Sequence, residues 1–399
     1  MADEGPTPRT GRIILLGSTG SIGRNTIEVV RHLASSGGPR FEIVGLSART
    51  DAALLRDQAR DLGVTDVAIA DPTKRGDLKG VGTVHAGPQA SVELVDALAR
   101  PGDLVVGAVV GAAGIAPTLK AIERGCDVAL ANKEALVAAG ALVMDAARRR
   151  GVRVIPVDSE HSAIFQCLRG GRTPEEVRRL VLTASGGPFR SWDADRMATA
   201  TVEQALDHPT WSMGPKVTID SASMMNKALE LIEAHWLFDV PADRLDAVVH
   251  PQSIVHSFVE FIDGSVLAQL SPPDMRMPIQ HALTWPKRTE GCAPSVDWTT
   301  FGDLRFETVD HGRFPSLRTA LEVIDQGGGA GAVFNAANEV AVEAFLERRI
   351  DFGSIMDLVR RTLDEVDCGH PGTIEDVLRL DRTARDAARV MLPGIEART

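Results

Sequence analysis

Short apolar runs alternate with helix-like segments over the first 157 residues, and this alternation limits the possible folds more than any other feature of the chain. Six runs predict buried strands: "RIILLG" (12–17), "FEIVGLS" (41–47), "DVAIA" (66–70), "DLVVGAVV" (103–110), "DVALA" (127–131) and "RVIPV" (153–157). Helices are predicted between them at 23–35, 51–62, 90–99, 114–124 and 133–149. Strands that alternate with helices form parallel sheets covered on both faces, so this part is predicted to be α/β.

The pattern changes after residue 160. "RRLVLTASGGPF" (178–189) predicts a strand that enters a glycine loop, and "KVTIDSASMMNKALELIEAHWLF" (216–238) predicts a strand, a polar turn and a helix. "LDAVVHPQSIVHSFVEFIDGSVLAQLSPPDM" (245–275) predicts two or three strands, with "IDGS" as a hairpin turn. From residue 317 only helical spacing remains. We therefore predict four parts: an N-terminal domain at 1–157, an α+β domain at 158–290, a linker at 291–316 and a helical domain at 317–399.

Composition narrows the possible functions. The chain of 399 residues has a formal net charge of -11, 4% aromatic residues and no Tyr, which disfavours nucleic-acid and anionic-membrane binding. The four Cys residues form no C-x-x-C pair, so neither a zinc site nor a disulfide framework is predicted. The N-terminus "MADEGPTPRT" has no secretory pattern, and no apolar run is long enough to span a bilayer. We expect a cytoplasmic protein.

"LLGSTGSIGRNTIEVV" (15–30) places Gly17, Gly20 and Gly23 between the first strand and the first helix. Such a turn lets backbone N–H groups approach a pyrophosphate at the helix N-terminus, which indicates a Rossmann-like nucleotide site. A glycine turn without a ligand is the alternative. The second strand ends with Ser47, Arg49 and Thr50, where NAD sites usually have an acidic residue; a cation and hydroxyl groups suit a 2′-phosphate instead. NADPH is therefore favoured over NADH, unless Arg49 is only a solvated surface residue.

"VDSEHSAIFQ" (157–166) contains two carboxylates, Asp158 and Glu160, directly after the last strand predicted for the N-terminal domain. In an extended chain they would point to the same face, which is unfavourable unless a cation lies between them. A metal site, an acid/base couple and a solvated turn all remain open. Glu230, on the same helix face as Lys227, is a possible third carboxylate. Three carboxylates suit Mg²⁺ or Mn²⁺, but sequence spacing does not place Glu230 near the other two.

Donor side chains cluster in further loops. "ALANKEALV" (129–137) places Lys133 at the carboxyl edge of the predicted sheet, where ligands bind, although lysines there are often merely exposed. "TASGGPF" (183–189) and "TIDSASMMNKALE" (218–230) contain the hydroxyl, amide and amine groups that a phosphate needs, with helix capping as the alternative. "HPTWSMGPK" (208–216), the lid loop, is typical of a mobile apolar cover; a rigid surface loop is the alternative.

Eight motifs, in this order, closely resemble the 1-deoxy-D-xylulose 5-phosphate reductoisomerase family: "GSTGSIG", "ANKE", "DSEHSAIFQ", "ASGGPF", "HPTWSMG", "IDSASMMNKALE", "HPQSIVHS" and "GSVLAQLSPPDMR". With "FNAANEVAV", the resemblance extends from about residue 12 to beyond residue 345. It implies an NADP-dependent, homodimeric oxidoreductase of the non-mevalonate isoprenoid pathway that uses NADPH and Mg²⁺ or Mn²⁺. The implied reaction converts 1-deoxy-D-xylulose 5-phosphate to 2-C-methyl-D-erythritol 4-phosphate by isomerisation and reduction.

The resemblance also implies roles for single residues. The metal ligands would be Asp158, Glu160 and Glu230, and the catalytic residues Lys133, Glu160 and Glu230. Lys133, Ser159 and Glu160 would contact the reacting end of the substrate. Glu230 would also belong to the substrate-binding set, and Trp211 would cover the substrate. The substrate phosphate would bind Ser185, His208, Ser221, Asn226 and Lys227. The cofactor-binding set would be Gly17, Thr19, Gly20, Ser21, Ile22, Asn132, Glu134 and Gly214, with Arg49 near the 2′-phosphate.

This chain departs from the family pattern at "ARTD" (48–51), where many relatives have a Gly-Lys or Gly-Arg pair, and at Thr210, where some have Asn. The contact of this segment with the 2′-phosphate is therefore the least defined of the implied contacts. Two functions from other classes remain as alternatives. One is a different NADPH oxidoreductase, such as a semialdehyde or homoserine dehydrogenase, which needs no three-carboxylate metal site. The other is a non-catalytic protein that senses NADPH.

Overall fold

The computed structural model describes residues 9–171, 173–211, 213–299 and 302–395. Most of the N-terminal segment used in the secretion argument, and the last four residues of the predicted helical domain, lie outside these ranges. The chain divides into two compact units. The first consists of Met1–Ala135, Val143–Phe165 and Asp274–Ser295, and the second of Leu136–Leu142, Gln166–Pro273 and Val296–Thr399. The domain boundaries predicted from the sequence stay predictions.

The strands and helices of the described residues are numbered in chain order. The strands are β1 (Arg12–Leu16), β2 (Glu42–Ala48), β3 (Asp66–Ile69), β4 (Thr83–Ala86), β5 (Leu104–Gly107), β6 (Asp127–Leu130), β7 (Val154–Pro156), β8 (Val177–Ala184), β9 (Leu245–Val249), β10 (Val255–Phe261), β11 (Val266–Leu270) and β12 (Glu307–Thr308). The helices are α1 (Ser21–Ser35), α2 (Ala52–Leu62), α3 (Ala90–Leu98), α4 (Ile115–Glu123), α5 (Glu134–Arg150), α6 (Ser159–Cys167), α7 (Ala194–Ala198), α8 (Val202–Leu206), α9 (Pro215–Ala222), α10 (Met225–Phe238), α11 (Arg276–Thr284), α12 (Ser316–Gln326), α13 (Ala330–Leu346), α14 (Ser354–Glu365) and α15 (Ile374–Met391). No helix among the described residues is both long enough and apolar enough to cross a membrane.

A seven-stranded parallel sheet in the order β4-β3-β2-β1-β5-β6-β7 forms the centre of the first unit. The predicted α/β class and its six predicted strands are confirmed. The seventh strand, β4, was not predicted because its residues, "TVHA", form no apolar run and lie at the edge of the sheet. The strand order changes direction between β1 and β5. Ligands of open α/β sheets bind outside the carboxyl ends of the strands at such a point.

The core of the first unit lies between this sheet and its helices. Leu15 of β1, Leu33 of α1, Leu46 of β2 and Leu55 of α2 are fully buried there. Burial of one such side chain contributes about 1.5–3 kcal/mol. Helix α11 packs on α1 and adds Ile279 to the same core. The sheet edge that carries the candidate nucleotide site is therefore held by a continuous apolar layer.

The second unit contains a five-stranded sheet in the order β11-β10-β8-β9-β12. Strands β8 and β9 are parallel and the other pairs are antiparallel, so the sheet is mixed. The "IDGS" turn between β10 and β11 is confirmed, with Gly264 at a φ of 87°. The helical spacing after residue 317 is also confirmed by α12, α13, α14 and α15.

The strand predicted in "KVTID" is wrong, because these residues belong to helix α9. The β-branched run Val217–Ile219 favours a strand by local propensity. Gly214 and Pro215 instead begin a helix, since proline suits the first helical position. Lys216 and Asp220 then form an ion pair of 2.9 Å, because the helix places residues at i,i+4 spacing side by side.

The turn between β1 and α1 depends on close backbone contacts at two glycines. Gly17 has a φ of 80°, and a Cβ there would lie 2.3 Å from the carbonyl oxygen of Ala108. A Cβ at Gly23 would lie 2.4 Å from the carbonyl oxygen of Gly17 and 2.5 Å from Ser18. At Gly20 the corresponding distance is 3.4 Å, which is an ordinary contact. Gly17 and Gly23 are therefore required by the shape of the turn, and Gly20 is not.

We expect Gly23→Ala to lower the free energy of unfolding by about 2 kcal/mol or more, because rigid backbone atoms occupy the position of the new methyl group. Gly20→Ala, in the same turn, should cost less than about 1 kcal/mol, since its φ of -71° suits alanine. Urea unfolding of both variants without cofactor measures the difference. Equal losses in the two variants would contradict the proposed packing of this turn.

Candidate active site

Two side chains that no motif identified hold the glycine loop in place. The Ser47 Oγ accepts a hydrogen bond from the Gly17 N–H at 3.1 Å, and the Ser47 carbonyl accepts one from the Ser18 N–H at 2.8 Å. The Gln58 amide donates to the Ser18 carbonyl at 2.9 Å. The sequence predicted a contact between Ser47 and a 2′-phosphate. That interpretation is wrong, because Ser47 is 1% exposed. Gln58 could have been identified from the sequence as a polar residue on the buried face of α2.

The exposed part of the glycine loop lies at the N-terminus of α1, where the predicted nucleotide site requires it. Gly20 and Ser21 are exposed, Thr19 is half-buried, and Ile22 packs against the core of the first unit. These residues lead into the N-terminus of α1, a helix of 15 residues. The N-terminal N–H groups of such a helix favour a bound anion. Arg49 is exposed at the end of β2, where it can reach a ligand that lies along the sheet edge.

Asn132 fixes the chain between β6 and α5. Its side-chain amide donates to the carbonyl oxygens of Val109 at 2.7 Å and Gly111 at 3.1 Å, and to Glu134 Oε2 at 2.7 Å. Its side-chain oxygen accepts from the Ala135 N–H at 3.0 Å. Asn132 and Glu134 are 2% and 4% exposed, so both act inside the protein in this structure. Their predicted contact with NADPH stays a prediction.

Asp158 and Glu160 are not in an extended segment, so the argument that they share a strand face is wrong. Asp158 immediately precedes α6, and its carbonyl accepts from the Ser162 N–H at 2.8 Å. Glu160 lies in the first turn of α6 and accepts a hydrogen bond from the Ser159 hydroxyl at 2.6 Å. The N-terminus of a helix stabilises negative charge. The helix therefore keeps two carboxylates close together at lower electrostatic cost than a strand end.

Lys133 lies beside this pair, with its Nζ 2.8 Å from Asp158 Oδ2. Burial raises the pKa of Asp158, but Lys133 and the ring of His161 outweigh burial and hold the pKa well below its usual range. The Asp158 carboxylate is therefore ionised at neutral pH. His161 is fully buried, and its Nδ1 lies 3.9 Å from Asp158 Oδ1. The first unit thus brings together Lys133, Asp158, Ser159 and Glu160, and their substrate and metal roles stay predictions.

In the second unit, the imidazole of His208 lies between two serine hydroxyls. Its Nε2 is 3.2 Å from Ser185 Oγ and 3.0 Å from Ser221 Oγ. Its Nδ1 accepts the backbone N–H groups of Thr210 at 3.1 Å and Trp211 at 2.9 Å. Because Nδ1 is an acceptor, the ring proton is on Nε2 and points to the serines. Burial lowers the pKa of His208, which also favours this neutral form.

Helix α10 carries the remaining predicted site residues of the second unit. Lys227 and Glu230 form a buried ion pair, with the two residues 3% and 1% exposed. Asn226 donates from its amide to Glu230 Oε1 at 2.5 Å. Of the lid loop, Trp211 is half-buried, Gly214 is the exposed residue before α9, and Ser212 lies outside the described residues. The donor-rich loop after β8 and helices α9 and α10 are thus all parts of one unit.

Known proteins of one enzyme family match this chain over nearly its whole length. The family model described as 1-deoxy-D-xylulose 5-phosphate reductoisomerase matches residues 13–140, and two models of C-terminal domains of the same enzyme match residues 154–238 and 270–387. The chain belongs to the 1-deoxy-D-xylulose 5-phosphate reductoisomerase family. A reductoisomerase from Rhodococcus jostii (strain RHA1) is 51% identical over 96% of this chain and 95% of its own length. One from Rhodopseudomonas palustris (strain BisB18) is 47% identical over 97% and 95%.

Solved reductoisomerase structures share the fold. The Zymomonas mobilis reductoisomerase in complex with NADPH is 44% identical, covers 97% of this chain and 99% of its own, and superposes with a TM-score of 0.87. A reductoisomerase in complex with NADPH, fosmidomycin and magnesium is 37% identical, covers 96% and 98%, and has a TM-score of 0.89. The resemblance inferred from the motifs is confirmed.

We expect Lys227→Met to lower the free energy of unfolding by about 3–5 kcal/mol, because it leaves the buried Glu230 carboxylate without its cation. The double variant Lys227→Met, Glu230→Gln should recover most of this loss. Arg379→Met is a matched control, since Arg379 and Asp376 form an ion pair of the same spacing with side chains that are 67% and 31% exposed. Chemical unfolding of the set measures the differences. A loss in Lys227→Met no larger than in the control would contradict a buried, charge-compensated pair.

We expect His208 to titrate below its ordinary pKa of 6.5 in the ligand-free protein, because burial disfavours the charged ring. Its contribution to stability is therefore present above pH 6.5 and is lost as the pH falls through the lower folded-state pKa. NMR titration of the ring, assigned with His208→Asn, measures this pKa. A value above 6.5 would contradict the acceptor role of Nδ1 towards the lid loop.

Proposed function

We propose that the chain converts 1-deoxy-D-xylulose 5-phosphate to 2-C-methyl-D-erythritol 4-phosphate as an NADP-dependent oxidoreductase of the non-mevalonate pathway, with NADPH and a divalent metal ion. The observation that supports this most strongly is the full-length relation to reductoisomerases, one of which was solved with NADPH, fosmidomycin and magnesium. The site residues agree in chemical type with such a reaction, as the following assignments describe.

The nucleotide assignment rests on the crevice at the β1–β5 switch point. The turn after β1 leads Thr19, Gly20, Ser21 and Ile22 into the N-terminus of α1, where backbone N–H groups and small side chains suit a pyrophosphate. We assign this loop, from Gly17 onwards, to NADPH. The exposed guanidinium of Arg49 provides the cation that a 2′-phosphate requires. Asn132, Glu134 and Gly214 complete the proposed cofactor set. When bound, NADPH supplies the hydride for the reduction.

The proposed metal ligands are Asp158, Glu160 and Glu230. All three offer carboxylate oxygens, the ligand type that Mg²⁺ and Mn²⁺ prefer. The fit is supported by Asp158, whose pKa is held low although burial raises it, so the ionised form is available to a cation. Magnesium is the ion named with the solved relatives, and we propose manganese as a second competent ion. When bound, the ion supplies Lewis-acid stabilisation of negative charge on substrate oxygens.

The remaining residues bind and orient the substrate. The ammonium of Lys133 and the hydroxyl of Ser159 provide donors at the reacting end. At the phosphate end, the hydroxyls of Ser185 and Ser221 each lie at hydrogen-bond distance from the Nε2–H of His208. Asn226 and Lys227 add an amide and a cation, and the indole of Trp211 covers the substrate. Binding energy from a phosphate that does not react can be used to orient the reacting carbons and to exclude water.

We further propose that two copies of the chain form a homodimer in the cytoplasm. Strand β11 is an edge strand of the mixed sheet, and Val266 and Leu267 on it are 52% and 41% exposed. Ile262, in the preceding hairpin turn, is 59% exposed. An exposed apolar edge strand suits pairing with a second copy. All four cysteines are free, three of them buried, which suits a reducing compartment.

Oxidation of NADPH in the presence of 1-deoxy-D-xylulose 5-phosphate, followed at 340 nm with and without Mg²⁺ or Mn²⁺, tests the function. We expect turnover only with metal, and we expect Glu230→Gln to lower kcat by about 100-fold or more because a metal ligand is lost. The dissociation constant of NADPH should stay near the wild-type value in this variant. Turnover that persists in excess chelator would favour a different NADPH oxidoreductase, and full activity of Glu230→Gln would disprove the three-carboxylate site.

A further inference from the structure

A buried carboxylate that has no part in the roles assigned above connects α9 to the C-terminal helices. Asp220 lies on α9 and is 1% exposed. Asn338, in the "FNAANEVAV" motif on α13, is fully buried and donates from its amide to Asp220 Oδ1 at 2.9 Å. Lys216, the last residue of the lid loop, binds Asp220 Oδ2 at 2.9 Å. One carboxylate thus contacts both the first turn of α9, where the lid loop ends, and a helix that carries none of the predicted site residues.

Asp220 is next in sequence to Ser221, which contacts His208 in the candidate phosphate pocket. The backbone around Ser221 is tightly confined, because a Cβ at Gly187 would lie 2.5 Å from the Ser221 carbonyl oxygen. The chain then turns through Met224, whose φ of 58° is unfavourable for a side chain other than glycine. A second contact from the C-terminal helices, the Ser316 hydroxyl on the Ser223 carbonyl at 3.0 Å, supports this turn.

We infer that Asp220 and Asn338 are positioning residues that hold Ser221 and the lid loop in the geometry that recognises the substrate phosphate. The inference deepens the proposed function and rests on it. In this arrangement α13 contributes to phosphate recognition without touching the ligand. The hydrogen bond from Asn338 fixes the position of α9, and the ion pair with Lys216 keeps the first turn of α9 helical where the lid loop ends.

A structural role alone is the competing explanation, since any buried carboxylate that loses its charge lowers stability. The two explanations differ in what they predict for ligands. Loss of a purely structural contact lowers stability and leaves the affinity of the remaining folded protein for phosphate unchanged. Loss of a positioning contact weakens phosphate binding in particular, because the hydroxyl of Ser221 no longer lies at hydrogen-bond distance from the phosphate.

The test compares Asp220→Asn and Asn338→Ala with a matched control, Asp381→Asn. Asp381 is a carboxylate of similar burial on α15 that binds Arg385 at 2.7 Å, in the same group of helices. We expect Asp220→Asn to raise the KM for 1-deoxy-D-xylulose 5-phosphate and the inhibition constant of inorganic phosphate by about tenfold, with kcat changed by less than about threefold. The dissociation constant of NADPH should not change. Asn338→Ala should act in the same direction, and Asp381→Asn should leave all these constants unchanged.

A double-mutant cycle with Ser221→Ala tests whether Asp220 acts through Ser221. In the Ser221→Ala background, Asp220→Asn should raise the phosphate inhibition constant by less than about threefold, because the group that it positions is already removed. The swap Asp220→Asn with Asn338→Asp keeps an amide–carboxylate pair but moves the charge away from Lys216. Recovery of stability without recovery of phosphate affinity in the swap would show that the charge is needed on α9.

The inference is overturned if Asp381→Asn raises the phosphate constants as much as Asp220→Asn does, or if Asp220→Asn lowers stability only. It is also overturned if the effects of Asp220→Asn and Ser221→Ala are fully additive. A wild-type protein that binds inorganic phosphate by calorimetry but does not turn over 1-deoxy-D-xylulose 5-phosphate would disprove the proposed function alone, and the phosphate affinities of the variants would still test the positioning role. Absence of phosphate binding by the wild type would disprove both.

Discussion

Compensation of buried carboxylates by lysines is the interaction on which the candidate site depends. Asp158 is paired with Lys133, Glu230 with Lys227, and Asp220 with Lys216. A carboxylate withdrawn from water without a cation would bind a proton and lose its charge. Lys133 in this way holds the pKa of Asp158 well below its usual range. Such pairs do little for net stability, since desolvation offsets most of their attraction, but removal of one partner leaves the other charge uncompensated.

The fold was predictable from the sequence to the extent that local patterns agreed with tertiary contacts. Apolar runs between helical segments identified β1 and its parallel neighbours, since strands buried on both faces must be apolar throughout. Strand β4 was not predicted, because a strand at the edge of a sheet does not need a continuous apolar run. Helix α9 contradicted its β-branched sequence because Gly214 and Pro215 begin a helix there, a local signal that outweighs the strand propensity of Val217–Ile219. The contact of its Asp220 with Asn338 of α13 joins residues 118 positions apart in the chain, and no local pattern predicts it.

For the candidate site, the sequence identified the residue types but not their partners. The two carboxylates of "DSE" were identified because adjacent negative charges are unfavourable. In the structure, a helix N-terminus and Lys133 stabilise them, and sequence spacing alone predicts neither. Ser47 and Gln58 were misjudged or missed because their role is to bind backbone groups of the glycine loop. Residues of this kind leave no motif, since any side chain with the right donor or acceptor at the right place would serve.

The ring of His208 has a consequence for how the phosphate pocket and the lid loop behave together. One nitrogen accepts the backbone of Thr210 and Trp211, and the other faces Ser185 and Ser221. An aromatic ring cannot bend, so a tilt at one nitrogen produces a tilt at the other. A bound anion that turned this ring would therefore also move the backbone N–H groups of Thr210 and Trp211. One side chain thus has contacts in both the phosphate pocket and the lid loop.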